Sequence, residues 1–279
     1  MKTGDLTIAP ILRERVPNTL MVGEKIRFRF QKTGDLRLLS HHDLMRSCER
    51  MLRRAEVPFA MTNGFHPTPR WVFALSLPLG VAGYNEVVEL ELKQPQNIYA
   101  VRDAINTCAP KGFQLVSAQS IDPKSTAVPR RVMYRFAIPH DSSEAVQATA
   151  KELVGREKIW TDRHYPRARR VNIRPFIRHS YVEEGYLYLD LWVTSTGTAR
   201  ADELIKLLGL TELHRDGADL DRVELDLEDE VEADATDGPP TTPAETLPLH
   251  TPAGRPPVDD EAPATTTTWG LSPNGPVVE

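Results

Sequence analysis

The stretch "KIRFRFQ", residues 25–31, alternates without a break: Ile26, Phe28 and Phe30 fall on one face, Arg27 and Arg29 on the other. A period of two with one apolar side is the pattern of a strand buried on one face only. The period then changes. Ser40 precedes Leu44, Cys48, Met51, Leu52 and Ala55 at helical spacing, with Asp43 three places after the serine as in a capping box. Pro58 limits that helix, and residues 70–79 read as a second strand. "EVVELELK" (86–93) reads as a third, with Val88, Leu90 and Leu92 inward. Asn97 caps a second helix with Ile98, Val101, Ile105 and Cys108 on one side, Gly112 ends it, and "FQLVSA" (113–118) closes the unit. The order is β-α-β-β-α-β, the ferredoxin-like split unit.

The same order recurs from residue 132. "VMYRFAI" (132–138) is a strand, and the helix after it turns Val146, Ala150, Leu153 and Val154 inward. "NIRPFI" (172–177) and "YLYLDLWV" (186–193) read as the central pair. Leu204, Leu207 and Leu208 mark a helix stopped at Gly209, and "RVELDLE" (222–228) alternates to the end. The expected fold class is therefore α+β, with two tandem ferredoxin-like (βαββαβ) units over 23–121 and 132–228 and a linker at 122–131. A loose leader (1–22) precedes them and a disordered acidic, Pro/Thr-rich tail (229–279) follows. First and third strands are neighbours in this topology, so Arg27 and Arg29 are expected opposite Glu89 and Glu91. The open face of the second sheet would show Tyr186, Tyr188 and Trp192, unless the junction of the two units buries them.

The formal charge of −5 over 279 residues conceals a segregation. Residues 228–279 carry eleven Asp/Glu and one base, Arg255, leaving 33 basic against 28 acidic residues in positions 1–227. Ten of the 23 prolines lie in that tail, which has too little apolar surface to offset the entropy of ordering. No run approaches the ~18 apolar residues that span a bilayer, and no signal-peptide core is present. Cys48 and Cys108, the only cysteines, stand sixty positions apart, which is neither a metal nor a redox spacing. The expectation is a cytoplasmic protein with reduced cysteines, no membrane association and no metal site. A set made of His41, Asp43 and His66 has no supporting spacing.

Three groups of residues could carry function. On the first helix Arg46, Arg50, Arg53 and Arg54 cluster opposite the apolar stripe, either as a solvated face or as forks for phosphate oxygens. His41 falls on the inward side of that helix's first turn and His42 outward. The helix dipole favours a neutral imidazole there, either as a packing residue or as a general base. In "TNGFHPTPRW" (62–71) Pro67 and Pro69 stiffen a turn that holds Phe65, His66, Arg70 and Trp71 for stacking on bases or docking a partner. In the second unit, residues 156–178 hold eight Lys/Arg, Arg167, Arg169, Arg170 and Arg174 among them, interleaved with Trp160, His164, Tyr165 and Phe176. Basic residues mixed with aromatics are a nucleic-acid signal.

Residues 39–92 and "VNIRPFI" (171–177) together resemble the radical-SAM-linked domain-of-unknown-function family, whose members are encoded beside or fused to the C-terminus of a radical SAM protein. The likeness covers about 25–225. By position its pattern marks Ser40, His41, Asp43, Arg53, Arg54, Gly64, Phe65, Pro67, Pro69 and Gly80, then Ile173, Arg174 and Pro175. His42 stands where an aliphatic residue is expected, and Asn172 where an acid is usual. The resemblance implies a separate partner that carries an iron–sulfur cluster and S-adenosylmethionine. This chain's two distant cysteines cannot ligate such a cluster.

The expected function is a non-catalytic accessory protein that binds structured RNA, tRNA or rRNA, for a radical SAM enzyme, with no cofactor of its own. Charge segregation suggests that the tail competes with RNA for the basic face. One alternative is a metal-independent endoribonuclease with His41 as general base, similar in outline to CRISPR repeat-processing enzymes. Another is a pure scaffold for the radical SAM partner.

Overall fold

The computed structural model describes residues 22–164, 167–230 and 238–249. The first half runs β1 (Val22–Lys32), α1 (His41–Arg54), β2 (Trp71–Phe73), β3 (Ala82–Asn97), α2 (Ile98–Cys108) and β4 (Phe113–Ser120). Its strands lie in the order β4-β1-β3, with β2 paired to β3. Ile26, Phe28 and Phe30 of β1 and Val88, Leu90 and Leu92 of β3 are buried against Leu44, Cys48, Met51 and Leu52 of α1 and Ile98, Val101 and Ile105 of α2. Both helix starts follow from sequence. The Ser40 hydroxyl accepts from the Asp43 N–H at 3.2 Å, and Asn97 Oδ1 accepts from the N–H groups of Tyr99 and Ala100 at 3.0 Å.

The second half holds β5 (Pro129–Ala137), α3 (Ser143–Gly155), β6 (Trp160–Arg163), β7 (Arg169–Asn172), β8 (Ile177–Glu183) and β9 (Tyr186–Thr194). It ends with β10 (Gly197–Thr198), α4 (Ala201–Leu207), α5 (Thr211–Arg215) and β11 (Leu220–Leu227). Here the path is β11-β5-β9 with β8 on β9, so its principal strands repeat the order of the first half. Strands β6 and β7 leave this path and pair with β12 (Thr246–Pro248) in a separate three-stranded sheet.

The halves fuse through β3. Because β2 covers it only at Val88–Leu90, the earlier edge of β3 stays open, and β11 pairs there in parallel, Asp221 with Ala82 and Arg222 with Gly83. The result is one nine-stranded sheet. Val87 joins the second core while Val88 and Leu90 join the first, so one strand serves both. At the join the fully buried Arg222 grips Glu86 with two bonds, 2.7 Å from Nε and 2.5 Å from Nη2, and also reaches the carbonyls of Leu75 and Ser76. Gly83 makes room for this pair: a Cβ there would meet the Glu86 side chain at 2.5 Å.

Several expectations need correction. Residues 70–79 form a strand only over Trp71–Phe73. "NIRPFI" is not a strand: Arg174–Phe176 is a 3₁₀ turn, and the partner of β9 is β8. Leu204 and Leu208 are buried as expected, but Leu207 is exposed and Ile205 takes its place on the apolar face of α4. Arg27 bonds Glu89 as expected, but Arg29 turns to Glu230 and the Leu225 carbonyl, and Glu91 pairs with Arg70. Arg27 also binds Asp229 at 2.8 Å, so the first acids after β11 neutralise β1 instead of extending into solvent. Residues 238–249 of the expected disordered tail run beside the second half and supply β12. The rest of the tail and the leader, 231–237, 250–279 and 1–21, lie outside the described residues. No helix among the described residues is long and apolar enough to cross a membrane.

Glu86→Ala strands a buried guanidinium and is expected to lower stability by about 3–5 kcal/mol, whereas Glu86→Leu with Arg222→Met recovers most of that loss. Urea denaturation of the three chains checks both.

Candidate functional site

Lys32 ends β1 inside the protein, where its ammonium donates to the carbonyls of Leu39 at 2.9 Å and Arg37 at 3.5 Å. Burial pushes its pKa down. Those two bonds pin the turn that delivers Ser40, the α1 cap. His41 is half-buried with its ring edge-on to Phe73 at 5.5 Å. Its pKa lies below the ordinary 6.5 through burial first, then the nearby charges of His42 and Lys32. The imidazole is therefore neutral at pH 7, and it takes no hydrogen bond among the described residues. A general base is normally held by an orienting partner; what holds His41 is an aromatic edge.

The segment after Pro58 folds into a hairpin anchored to β3. Ala60 donates to Glu91 O at 2.8 Å, Glu91 to Arg70 O at 3.1 Å, and Arg70 to Ala60 O at 2.9 Å. Above that base Thr62 and Thr68 exchange a backbone bond at 2.8 Å and a hydroxyl contact at 3.2 Å. Gly64 makes the turn at φ +145°, a region that L side chains rarely adopt. Phe65 at the tip is completely exposed, and His66 beside it is exposed. Trp71, expected at the surface, is instead buried with its ring 6.1 Å from that of Phe28. It lies at the first position of β2 and points into the core. Arg70 is held by Glu91 at 2.7 Å.

The hairpin and α1 face each other across a groove of about 180 Å³ lined by His42, Met45, Arg46, Glu49, Thr68, Pro69 and Trp71. The structure thus brings together two motif segments that are separated by ten positions in sequence, Ser40–Arg54 and Gly64–Pro69. Along the outer side of α1, Arg46 lies 3.8 Å from Asp43, Arg53 is bound by Glu49 at 2.7 Å, and Arg54 Nε donates to the Arg50 carbonyl. The Arg50 guanidinium has no partner among the described residues. Arg53 also sits over Phe59 at 5.9 Å.

The basic run of the second half is spent differently. Arg163 is buried on Glu203, Arg170 is bound by Asp162 at 2.7 Å, Arg174 donates to the Ile177 carbonyl, and Arg178 is tied to Asp190. Arg167 and Arg169 are exposed. Phe176 is buried, as is Ile173, so the "IRP" motif is a core-anchored turn. Asn172, where the resemblance leads one to expect an acid, accepts the N–H groups of Ile159 at 3.0 Å and Arg174 at 3.2 Å through Oδ1. A carboxylate oxygen could accept the same two bonds, which makes this a structural position.

Two features escaped sequence reading. Arg135 lies 5.1 Å from the rings of both Tyr84 and Tyr186, and Tyr188 stacks on Tyr181 at 5.1 Å, whereas Trp192 is buried under Arg130 and Arg178. The alternation of β9 announced Tyr186 and Tyr188, but Tyr84 comes from the other half. A cavity of about 510 Å³ also opens at the junction between Leu75–Val81 and the start of α4, with Arg222 and Tyr134 in its wall. Among the described residues no group of three or more His, Cys, Asp or Glu could hold a metal ion, so His41, Asp43 and His66 form no such set.

The model of a family described as "Uncharacterized protein conserved in bacteria (DUF2344)" matches residues 25–202. No curated protein matches. Among solved structures, similarity is found to a chain of "Crystal Structure of a Cbf5-Nop10-Gar1 Complex", at 14% identity and TM-score 0.35, covering 71% of this chain and 49% of that one. This chain thus spans about half the length of that relative. A second is "Crystal Structure of an Unknown Protein from Galdieria sulphuraria", at 10% identity and TM-score 0.24, covering 73% and 98%.

A histidine whose folded pKa is depressed resists protonation only in the folded state, so its effect on stability is absent above 6.5 and grows as pH falls below that value. The His41 ring is expected to titrate below 6.5 by NMR. His41→Asn should lose less stability than wild type between pH 7.5 and pH 5 in parallel urea denaturations.

Proposed function

The chain belongs to the DUF2344 family, and we propose that it is a non-catalytic accessory protein made of two ferredoxin-like units, 23–121 and 132–228. It holds structured RNA for modification by a separate cytoplasmic radical SAM enzyme that carries the iron–sulfur cluster and S-adenosylmethionine. One observation carries the proposal: a preformed hairpin holds a wholly exposed Phe65 at its tip, and the base of that hairpin shares a groove with Arg46 of α1. An exposed aromatic ring on a rigid hairpin whose base adjoins an arginine suits base stacking with phosphate contact. Arg46, Arg50, Arg53 and Arg54 would take the phosphates and Phe65 a base, with Arg167 and Arg169 as outlying contacts.

The radical SAM partner is inferred from the motifs around Ser40–Asp43, Gly64–Pro69 and Ile173–Pro175. The chain itself is a poor cluster host. Cys48 is buried, its thiol pushed up to about 12 by burial, and Cys108 sits half-buried on another helix. Thiolate ligation needs the opposite.

Binding of total tRNA, followed by fluorescence anisotropy, should weaken linearly in log Kd against log salt. Replacing Arg46 and Arg50 by Ala should lower the slope by about 2. Phe65→Ala should weaken binding by about five- to a hundredfold while leaving the slope unchanged. No salt-dependent binding to any RNA, with tight capture of a radical SAM enzyme, would replace this proposal with a pure scaffold.

A further inference from the structure

Strands β6 and β7 form a two-stranded ribbon, and such a ribbon offers an unpaired edge of N–H and C=O groups. In this structure the edge of β7 is taken by the chain's own residues 238–249. Thr246, Leu247 and Pro248 pair antiparallel with Val171, Arg170 and Arg169, and the Asn172 N–H donates to the Glu245 carbonyl at 2.9 Å. Lys158 meets the Glu245 carboxylate at 2.8 Å. Pro248 has no N–H to give, so the ladder stops there.

The hold is slight. The ladder is three residues long, the ion pair is half-exposed on both sides, and Leu247 leaves 46% of its surface in water. Ala244 packs on the core only in part, and Pro239, Pro240 and Thr241 rest on a surface hollow beside Val128 and Pro129. β7 contributes backbone bonds, with Arg170 and Asp162 lining a hollow beside Leu247 and Pro248, and Lys158 asks only for a carboxylate. Any extended segment of the pattern acid-x-apolar-Pro meets those requirements, which is strand addition at a sheet edge.

We propose that the β7 edge is a docking site for an extended, carboxylate-bearing peptide strand of a protein partner, and that residues 238–249 are a tethered competitor that such a strand displaces. A tethered segment acts at an effective concentration of about a millimolar, enough to exclude weak strands and admit a better one. The site is separate from the α1–hairpin groove and shares only the outlying Arg169 of β7 with the proposed RNA surface, so peptide binding measured without RNA tests it on its own.

The test uses the full-length chain with residues 243–249 replaced by Gly and Ser, beside wild type. The probe is a fluorescent peptide of residues 243–249. The Asn172 amide should exchange at least tenfold faster in the replaced chain, and the peptide should bind that chain at least tenfold more tightly than wild type. A peptide with Glu245→Lys should bind about threefold more weakly, and Lys158→Glu in the replaced chain should recover it. Thermal unfolding of the replaced chain confirms that it folds. Equal binding to both chains, or no binding to the replaced chain, overturns the proposal. Unchanged exchange at Asn172 does so as well, because the edge would then not be held by these residues.

Discussion

The architecture depends on the ion pair between Arg222 and Glu86. A buried guanidinium is tolerated only if its hydrogen-bonding capacity is filled, and here a carboxylate fork, two main-chain carbonyls and the Tyr134 hydroxyl fill it. The carbonyls belong to Leu75 and Ser76, in the segment that leaves β2. The pair therefore fixes three things together: the register of β11 on β3, the position of the 74–81 loop, and the closeness of the two cores. A hydrophobic pair of the same size could fill the volume, but it would not dictate which residue of β11 stands opposite Gly83.

From that junction the other charges take their places. Arg27, Arg29 and Arg37 of the first half reach Asp229, Glu230 and Asp219 of the second. Arg131 gathers Asp190, Glu224 and Asp226 across three strands of the sheet. Arginine is suited to this because its planar fork meets several acceptors at once. Arg27, Arg29, Arg37 and Arg222 are thus consumed in joining the two halves, and Arg131 in tying the strands of the second. What remains open on the first half is the outer side of α1, where Arg50 is unpaired among the described residues and Arg46 is only loosely paired with Asp43.

The elements that could be read from sequence are those in which one local rule decides. Alternation placed β1, β3, β5 and β9, and a serine or asparagine before an apolar stripe placed the starts of α1 and α2 to the residue. Where two rules compete, sequence was ambiguous. Trp71 is both a ring suited to surface stacking and the first inward position of a strand, and burial of its large apolar area decided the outcome. The fusion through β11 was hidden because alternation records which face is apolar and says nothing about which strand lies alongside. Only the brevity of β2, cut short before Pro78, leaves the edge of β3 free. The 238–249 segment was hidden for the opposite reason, since its composition is that of a disordered chain and its main hold is a short run of backbone bonds to β7, with one ion pair from Glu245 to Lys158.

The α1–hairpin groove inherits its geometry from the same strand as the junction. Val88 and Leu90 of β3 seat α1 from below, and Glu91 of β3 bonds the base of the hairpin through both its N–H and its carbonyl. The groove's two walls are therefore referred to adjacent residues of one strand. Pro67 and Pro69, which cannot donate, keep the hairpin from recruiting another strand at its own edge. Gly64 carries the turn at a φ that other residues resist. A flexible loop with Phe65 at its tip would lose conformational entropy on contact, whereas this one has lost it already on folding. Exposing a phenyl ring on so constrained a support brings the fold no packing energy, so the constraint makes physical sense as preparation for a partner that covers the ring.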